Sequence, residues 1–450
     1  MSWQQLLDEA SWVAGFIFDA LDGQQQKVVS LLLSDSWQFV VAYFGITLSG
    51  NIAMPVDITF KKLEIDFVTG KVNPELVIAG KATRTLLTRP VVLIEDILAA
   101  KTACPRMEYR LPPSQQIATL FLSSGTTGRP KPIPNTHQNQ LWDIEAISKP
   151  YGWRADDSLL ITLHLAHRHG LVICLLGALY HGNTVYLEER FDPARVLQIL
   201  SSGKVSFYST VPLAYEKLTE FNPREKFDLS SMRLFASSSS PLPPYLAERF
   251  KSRFGHDILD RYGTSETGSI AIRPSSSAHD FSAEPLAGVK VRIETGGEVA
   301  ILSPGLFPGY YKNLEATKKS LTQDGWWLTG DLGEIKDGRL ILRGRAKERI
   351  QKSGYSIYPQ DIEWALKQSP GVTEVKVTHV ETSSLDDKIF AFFSGQASKE
   401  DLIEYSRLNL PRSWRPDEFL KLKSIPKTAN GKPQMTKLRS MLPQADHDPS

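Results

Sequence analysis

Cysteine is scarce in this chain, and neither copy indicates a special role. Only two of the 450 residues are cysteines, Cys104 in front of a proline and Cys174 inside an apolar run. Two scattered cysteines do not make the clustered ligand set of a zinc site or the framework of a disulfide-rich secreted domain. Cys174 is therefore expected to be ordinary core packing.

Long apolar runs and an excess of one charge are missing as well. The longest apolar run, residues 171–180, is interrupted by Gly177 and is far shorter than the roughly 20 residues of a membrane-spanning helix. A net charge of +2 gives no reason to expect a nucleic-acid or anionic-membrane partner. Asp8 and Glu9 lie near the start, where a secretory signal has a basic region. We predict a cytoplasmic protein without a membrane span.

The chain length and hydrophobic patterning predict an α/β protein of two domains. A chain of 450 residues exceeds what one hydrophobic core usually holds. Helical patterns over 6–21 and 39–48 alternate with short apolar runs such as 28–33 and 75–79, which is typical of mostly parallel sheets. Further strands are expected over 158–162 and 184–187, and further helices over 171–180, 359–367 and 434–442. A β-rich portion is expected over 287–302 and 332–342, with a turn at Lys336-Asp337-Gly338. We predict a large multi-subdomain N-terminal domain, residues 1–343, and a small mobile α+β C-terminal domain, residues 344–450.

Residues 123–131, SSGTTGRPK, directly follow a predicted buried strand over 117–122. Hydroxyls, glycines and a terminal Lys are the composition of a loop that surrounds phosphate oxygens. The segment is not a Walker P-loop, because Pro130 takes the place of that motif's second Gly and Pro132 follows Lys131. Taken alone, it is equally compatible with a polar surface loop.

Four further blocks follow in order: 261–266 (RYGTSE), 329–331 (TGD), 344–347 (GRAK) and 426–432 (PKTANGK). Together with the loop, they resemble the adenylate-forming superfamily of acyl-CoA and aryl-CoA synthetases, luciferases and peptide-synthetase adenylation domains. Five ordered blocks are far more specific than one short motif. The resemblance covers essentially the whole chain.

The resemblance implies an ATP site. In it, Glu266 helps to hold magnesium, Asp331 accepts hydrogen bonds from the ribose, and Arg345 contacts the ribose. An ionised carboxylate suits a ribose because it only accepts hydrogen bonds. The other implied ATP-binding residues are Ser123, Ser124, Gly125, Thr126, Thr127, Gly128, Lys131, Ser239, Tyr262, Gly263, Thr264 and Ser265.

The same resemblance implies the catalytic candidates Lys432, Glu266, His167 and Lys347. Lys432 would pair with carboxylate and phosphate oxygens during adenylation, and a hinge near residues 345–347, centred on Lys347, would let the small domain turn. His167 would gate an acyl pocket that Ser238 and Gly263 also line. Gly354 would lie at the mouth of the thiol channel.

Several residues allow other interpretations. Arg343, Arg345, Lys347, Arg349 and Lys352 also fit a basic surface patch, and the histidines of 164–169 a zinc site, although no acidic or Cys ligand accompanies them. Arg168 either faces solvent or reaches a polar group on the substrate. Ser238 stands where the family usually has Gly, so its side chain is expected to narrow the pocket or to add a donor.

The resulting functional prediction is an ATP-dependent carboxylic acid:thiol ligase. It uses ATP and Mg²⁺ to make an acyl-adenylate and pyrophosphate, and then a thiol, most readily that of CoA, displaces AMP. Gln351 and Ser353 stand where CoA ligases often have lysines, so the alternative is an enzyme that loads a carrier protein's phosphopantetheine arm. A second alternative is a nucleotide-binding regulator without catalysis. The acid and the oligomeric state are left open.

Overall fold

The computed structural model describes residues 1–60, 62–87, 90–100, 106–107, 111–122, 131–221, 227–273, 282–345, 348–352, 355–380, 387–428 and 431–442. The chain divides into two compact units. The first is Met1–Lys290 with Leu302–Trp327, and the second is Val291–Ile301 with Leu328–Ser450. The boundary at 343/344 stays a prediction. Within the described ranges, no helix has the length and apolar character needed to cross a bilayer.

The helices lie mainly in the first unit. They are α1 (Trp3–Ala20), α2 (Trp37–Leu48), α3 (Lys62–Val72), α4 (Ile94–Ala99), α5 (His137–Tyr151), α6 (Gly177–Tyr180), α7 (Pro193–Leu200), α8 (Pro212–Glu220), α9 (Pro244–Phe254), α10 (Leu314–Lys319), α11 (Pro359–Lys367), α12 (Lys399–Asn409) and α13 (Met435–Arg439).

The strands alternate with these helices in the first half of the chain and follow one another directly later. They are β1 (Val28–Leu32), β2 (Ile52–Pro55), β3 (Leu76–Ala79), β4 (Val92–Leu93), β5 (Ile117–Leu122), β6 (Pro132–Thr136), β7 (Ser158–Ile161), β8 (Thr184–Leu187), β9 (Phe207–Thr210), β10 (Leu234–Ser237), β11 (Ile258–Thr264), β12 (Gly268–Arg273), β13 (Ser282–Pro285), β14 (Lys290–Ile293), β15 (Glu298–Leu302), β16 (Trp327–Lys336), β17 (Arg339–Arg345), β18 (Ile350–Lys352), β19 (Tyr355–Ile357), β20 (Val372–Val380), β21 (Lys388–Gly395) and β22 (Glu418–Lys421).

Two sheets organise the first unit. One has the order β4-β3-β1-β2-β5-β6 and is parallel except for β6, which runs antiparallel to β5. The other continues β8-β7-β9-β10-β11 in parallel and then turns antiparallel at β12 and β13. Parallel strands need crossover connections, which the intervening helices supply. The predicted mostly parallel α/β architecture is confirmed.

Helix α1 shows how local sequence builds this unit. Ser2 accepts from the backbone N–H of Gln5, and the Gln5 side chain accepts in return from Ser2, so the first turn is capped. The buried face carries Ala10, Val13, Ala14 and Ile17 at helical spacing. This face packs on α2, where a Cβ at Gly45 would approach Val13 to 2.5 Å.

The second unit is built around antiparallel hairpins. Strands β14 to β17 pair in chain order, and β16 turns into β17 at Asp337 and Gly338, whose φ angles are 50° and 74°. Positive φ at both positions is the backbone of a type I′ hairpin turn, at the position that the sequence predicts. A further sheet, β20-β21-β22, packs on α11 and α12 through a core containing Ile362, Phe393 and Leu402.

The predictions of individual elements differ in quality. Strands β5, β7 and β8 and helices α1, α2 and α11 lie where the sequence patterns place them. The helix expected over 171–180 is instead a π-helical segment, His169–Leu176, followed by the short α6. Helix α13 covers only Met435–Arg439 of the expected 434–442. The antiparallel strand β6 was not predicted, because its Pro-containing sequence does not resemble an interior strand.

Candidate active site

The predicted phosphate loop connects β5 to β6. Residues 123–130 lie outside the described residues, so the assignments of Ser123, Ser124, Gly125, Thr126, Thr127 and Gly128 stay predictions. The structure does describe both flanks: Leu122 pairs with Pro132 across the two strands, and Lys131 lies directly before this pair. The antiparallel pairing of β5 with β6 therefore holds the two flanks of the segment together.

Lys131 belongs to a cation–phenol–carboxylate cluster with Tyr310 and Glu266. The Lys131 Nζ lies 4.9 Å from the centroid of the Tyr310 ring, and the Tyr310 hydroxyl donates to Glu266 Oε1 at 3.1 Å. Burial, followed by the neighbouring charge of Glu266, raises the pKa of Tyr310, so the phenol remains a donor. Two residues predicted at the nucleotide, 135 positions apart in sequence, are thus joined through Tyr310. Sequence analysis missed Tyr310, since nothing in its local pattern distinguishes it.

Glu266 lies in the turn that ends β11, the strand formed by the second block. The Thr267 backbone N–H donates to Thr264 Oγ1 at 3.2 Å, and the two threonine hydroxyls lie 3.0 Å apart. The turn presents Tyr262, Gly263, Thr264, Ser265 and Glu266 in succession, and all five are partly exposed. A Cβ at Gly263 would lie 2.6 Å from the carbonyl oxygen of Gly268, so the close approach of β12 requires glycine there.

The serine run after β10 has two distinct roles. Ser238 is buried, and its hydroxyl donates to the Arg261 carbonyl at 2.8 Å, so the extra donor expected there is used between strands. Ser239 has a φ of 74°, in the left-handed region that side chains disfavour. Its Oγ lies 3.2 Å from His169 Nδ1. The strained residue is the one that lies next to the histidine segment.

The histidines of 164–169 have different partners and different electrostatics. His167 Nε2 lies 2.8 Å from the buried Asp57, and His164 Nδ1 lies 2.6 Å from the buried Asp35. Burial alone would raise the pKa of Asp57, but the hydrogen bond and charge of His167, with two hydrogen bonds from Thr59, hold that pKa well below its usual range. Sequence analysis identified His167 and missed Asp57, which lies 110 positions upstream.

Arg168 does not face solvent. Its Nε donates to Asp143 Oδ2 at 2.9 Å, and both side chains are buried. Further N–H groups reach the carbonyl oxygens of Ser265 and Asn139, at 3.4 and 3.5 Å. The Ser269 backbone N–H donates to the other Asp143 oxygen at 2.8 Å. Arg168 therefore fixes the β11–β12 turn against α5, which makes it a structural support of the segment that carries Glu266.

Next to the β11–β12 turn lies a cluster of buried polar side chains that includes His169 and Arg261. His169 Nε2 is 2.8 Å from Ser209 Oγ, and burial, then the charge of Arg261, hold the pKa of His169 well below its usual range. Arg261 is buried and donates through Nη1 to Ser269 Oγ at 2.9 Å. The same Nη1 lies 3.2 Å from where a Cβ of Gly263 would stand. The guanidinium therefore lies against a position assigned to the acyl pocket.

In the second unit, Asp331 and Arg345 form an ion pair. They are register partners on β16 and β17, with Arg345 Nε 2.7 Å from Asp331 Oδ1. The Asp331 side chain is mostly buried, whereas about half of the Arg345 side chain is exposed. The Thr329 hydroxyl accepts from the Asp331 backbone N–H at 2.9 Å. The two residues predicted at the ribose thus lie together, while Lys347 and Gly354 fall outside the described residues.

Lys432 lies in a compact turn between β22 and α13. The Thr428 backbone N–H donates to the Lys432 carbonyl at 2.8 Å, and the Lys432 N–H donates to Thr428 Oγ1 at 3.2 Å. Gly431 has a φ of 76°, which glycine adopts without strain. Lys432 is partly exposed on this turn.

Comparison with known proteins agrees with this arrangement. The sequence model of the AMP-binding enzyme family matches residues 1–311. The chain is 29% identical to the human mitochondrial malonate–CoA ligase ACSF3, over 91% of this chain and 82% of that protein. It is 30% identical to the 2-succinylbenzoate–CoA ligase of Listeria monocytogenes serovar 1/2a, over 72% of this chain and 69% of that protein.

Among solved structures, the chain resembles ATP-bound MatB from Rhodopseudomonas palustris. The TM-score is 0.90 at 24% identity, covering 98% of this chain and 93% of that one. This likeness confirms the fold. Because the family match spans well over half of the chain, the chain belongs to the AMP-binding enzyme family and is an AMP-forming acid–thiol ligase; adenylate-forming CoA ligases use ATP, Mg²⁺ and CoA.

Proposed function

We propose that this ligase is specific for a small carboxylic acid that carries a second anionic group, and that it transfers the acyl group to CoA. The observation that carries the proposal is the buried Arg261 guanidinium, whose Nη1 lies 3.2 Å from where a Cβ of Gly263 would stand. An anionic oxygen of the substrate beside Gly263 would make a charge-assisted hydrogen bond with this cation, which is stronger than a bond between neutral groups.

The named relatives are consistent with such a substrate. Malonate and 2-succinylbenzoate, the acids in the names of the human and Listeria proteins, each carry two carboxylates. A neutral His169 beside Arg261 leaves the guanidinium as the cation of this buried group. One carboxylate would lie at Arg261, and the other would lie toward the Thr264–Glu266 turn, where the chemistry takes place.

In the proposed first half-reaction, a carboxylate oxygen of the acid attacks the α-phosphorus of ATP, and pyrophosphate leaves. Bringing two anions together is the difficulty, so positioned cations and donors carry the catalysis. We assign Lys131 and the loop before it to the phosphates, Asp331 and Arg345 to the ribose, and Lys432 to the reacting oxygens. Glu266, a carboxylate that accepts from Tyr310, is the oxygen ligand type that Mg²⁺ prefers. When bound, Mg²⁺ neutralises phosphate charge.

In the second half-reaction, the CoA thiol attacks the acyl carbon, AMP leaves, and the thiol proton is released. We assign to His167 the gate between the two steps, with Asp57 holding its ring in one orientation. A hinge at Lys347 would reorient the C-terminal domain between steps, and Gly354 would admit the thiol. A cytoplasmic location is part of the same proposal.

Pyrophosphate exchange into ATP tests the substrate class. Malonate and 2-succinylbenzoate are compared with the matched mono-acids acetate and benzoate, and we expect exchange with a di-acid only. Arg261→Gln should remove this preference, whereas Arg261→Lys, which keeps a cation, should retain part of it. Exchange driven equally by mono-acids would refute the Arg261 assignment alone. Failure of all four acids would refute malonate and 2-succinylbenzoate as substrates.

The thiol acceptor is tested separately. The preformed acyl-adenylate is offered to the enzyme with either CoA or a carrier protein that bears phosphopantetheine. We expect thioester formation with CoA. Product only on the carrier would replace CoA by the carrier-loading alternative while leaving the adenylation chemistry in place.

A further inference from the structure

The segment that carries Lys432 is tied to strand β20 by one carboxylate. Glu374 Oε1 lies 2.5 Å from the Lys427 ammonium nitrogen, and its Oε2 accepts from the Ile425 backbone N–H at 3.0 Å. The Ser394 hydroxyl, on the neighbouring strand β21, donates to Oε2 at 3.2 Å. One side chain thus holds both a backbone group and a side chain of the segment just before its turn.

The turn transmits the position of Lys427 to Lys432. Lys427 pairs with Pro433 in an isolated antiparallel bridge, and Thr428 and Lys432 are joined by two hydrogen bonds. The Gln434 backbone N–H closes the base by donating to the Pro426 carbonyl at 2.8 Å. Because both sides of the turn are bonded to each other, a shift at Lys427 moves the Lys432 backbone with it.

The foot of the segment is held independently by apolar packing. Ile425 and Leu438 are buried in a cluster with Phe390 and Phe392. This cluster keeps the segment attached to the sheet whether or not Glu374 is present. The carboxylate therefore governs where the turn points.

Glu374 remains ionised at neutral pH. Burial alone would raise the pKa of Glu374, but the hydrogen bond from Lys427 and that from the Ile425 N–H hold the pKa below its usual value. Its bond to Lys427 is accordingly charge-assisted, which makes it shorter and stronger than a neutral hydrogen bond.

From this geometry we infer that Glu374 is a positioning residue for adenylation, which holds the 425–434 segment so that Lys432 reaches the reacting oxygens. The inference rests on the proposed role of Lys432. Misplacing a reacting group by about 1 Å costs on the order of a hundredfold in rate. Loss of the Glu374 anchor should therefore affect the half-reaction that needs Lys432 and leave the other unchanged.

The principal test is Glu374→Gln, which keeps the size of the side chain and removes its charge. We expect acid-dependent pyrophosphate exchange to fall by about ten- to a hundredfold. Thioester formation from supplied acyl-adenylate should be unchanged. Lys427→Met should have the same effect, and the double variant should lose little more, because both changes break one connection.

The matched control is Glu363→Gln on α11. Glu363 pairs with Lys376 at 2.8 Å and accepts from the Val377 backbone N–H at 2.9 Å, so it makes the same two kinds of contact to strand β20. Its partners lie outside the 425–434 segment. This variant should lower the unfolding midpoint of the protein while leaving pyrophosphate exchange at its original rate.

Three results would overturn the inference. Unchanged exchange in Glu374→Gln would mean that the anchor is unnecessary, and a parallel fall of both half-reactions would mean that Glu374 supports only the fold. If Glu374→Gln fails to fold, normal exchange in Lys427→Met refutes the inference. Lys432→Ala distinguishes the proposed role of Lys432 from the inferred role of Glu374. If Lys432→Ala retains exchange, the role of Lys432 is wrong. If Lys432→Ala loses exchange while the Glu374 and Lys427 variants keep it, only the role of Glu374 is wrong.

Discussion

The histidine segment of the first unit, residues 164–169, and the Lys432 turn of the second unit are held by different kinds of contact. Around His167 and Arg168, each polar side chain meets a buried partner: Asp57 for the histidine and Asp143 for the arginine. The Lys432 turn is hydrogen-bonded within itself and is joined to β20 by the partly exposed pair of Glu374 and Lys427. The comparison indicates that the segment proposed for acid recognition is anchored on fully buried carboxylates, whereas the segment proposed to carry the reacting lysine is anchored nearer the surface.

The largest effect should be a loss of stability when the buried pair of Arg168 and Asp143 is broken. Arg168→Met would leave the Asp143 carboxylate buried without its partner, which costs about 3–5 kcal/mol. The expected result is an earlier unfolding transition in urea. In the double variant Arg168→Met with Asp143→Leu, most of this loss should be recovered. A loss below about 1 kcal/mol in the single variant would place the pair in the class of surface ion pairs and remove the contrast.

The next largest effect should be a loss of reaction rate when the Lys432 turn is changed. Lys432→Ala removes the ammonium assigned to the reacting oxygens, and loss of one such stabilising donor costs about 10²–10³-fold. Acid-dependent pyrophosphate exchange should fall by this factor, with thioester formation from supplied adenylate intact. Because Lys432 lies on a partly exposed turn, the unfolding midpoint of the Lys432→Ala variant should match that of the unmodified protein. A large loss of stability would show that Lys432 contributes to the folded state as strongly as the buried pairs of the histidine segment do.

The smallest effect should be seen in how the free energy of unfolding changes at acidic pH. The folded-state pKa of Asp57 is lowered, so its ionised form contributes stability above the ordinary Asp pKa of about 3.9, and this contribution is lost as pH falls below that value. Asp57→Asn should therefore reduce stability at neutral pH and flatten its decline below about pH 4. Urea unfolding at a series of pH values measures both changes. Parallel pH curves for the two proteins would contradict the assignment.

Whether an element or a site residue can be predicted from the sequence depends on how far apart along the chain its interacting residues lie. Strand β5 and the turn at Asp337 and Gly338 were predicted because their signals are local: an apolar run, and a Lys-Asp-Gly turn between two short apolar runs. The identities of His167 and Glu266 came from blocks of adjacent residues. Their placement in the site remains a proposal, since the fold and the family are what the comparisons establish.

The supporting residues were not accessible in the same way. Tyr310, Asp57 and Glu374 have no motif of their own, and each acts on a residue tens of positions away. The sequence allowed two interpretations of Arg168, and the structure shows that its side chain is buried against Asp143 and does not face solvent. A single sequence reveals groups that share a local block, whereas long-range pairing appears only once the sheets bring distant strands together.

The π-helical segment His169–Leu176 has a consequence for how this enzyme tolerates deletions. Its hydrogen bonds span one residue more than those of an α-helix, so the segment holds a surplus residue relative to a regular helix. Removing one residue from it would restore the regular ladder and leave the flanking turns in phase, because the wide turn already absorbs the extra residue. The contacts of His169 with Ser209 and Ser239 should therefore survive a deletion within 170–176, whereas the same deletion in a regular helix such as α5 would rotate the residues before it by about 100°.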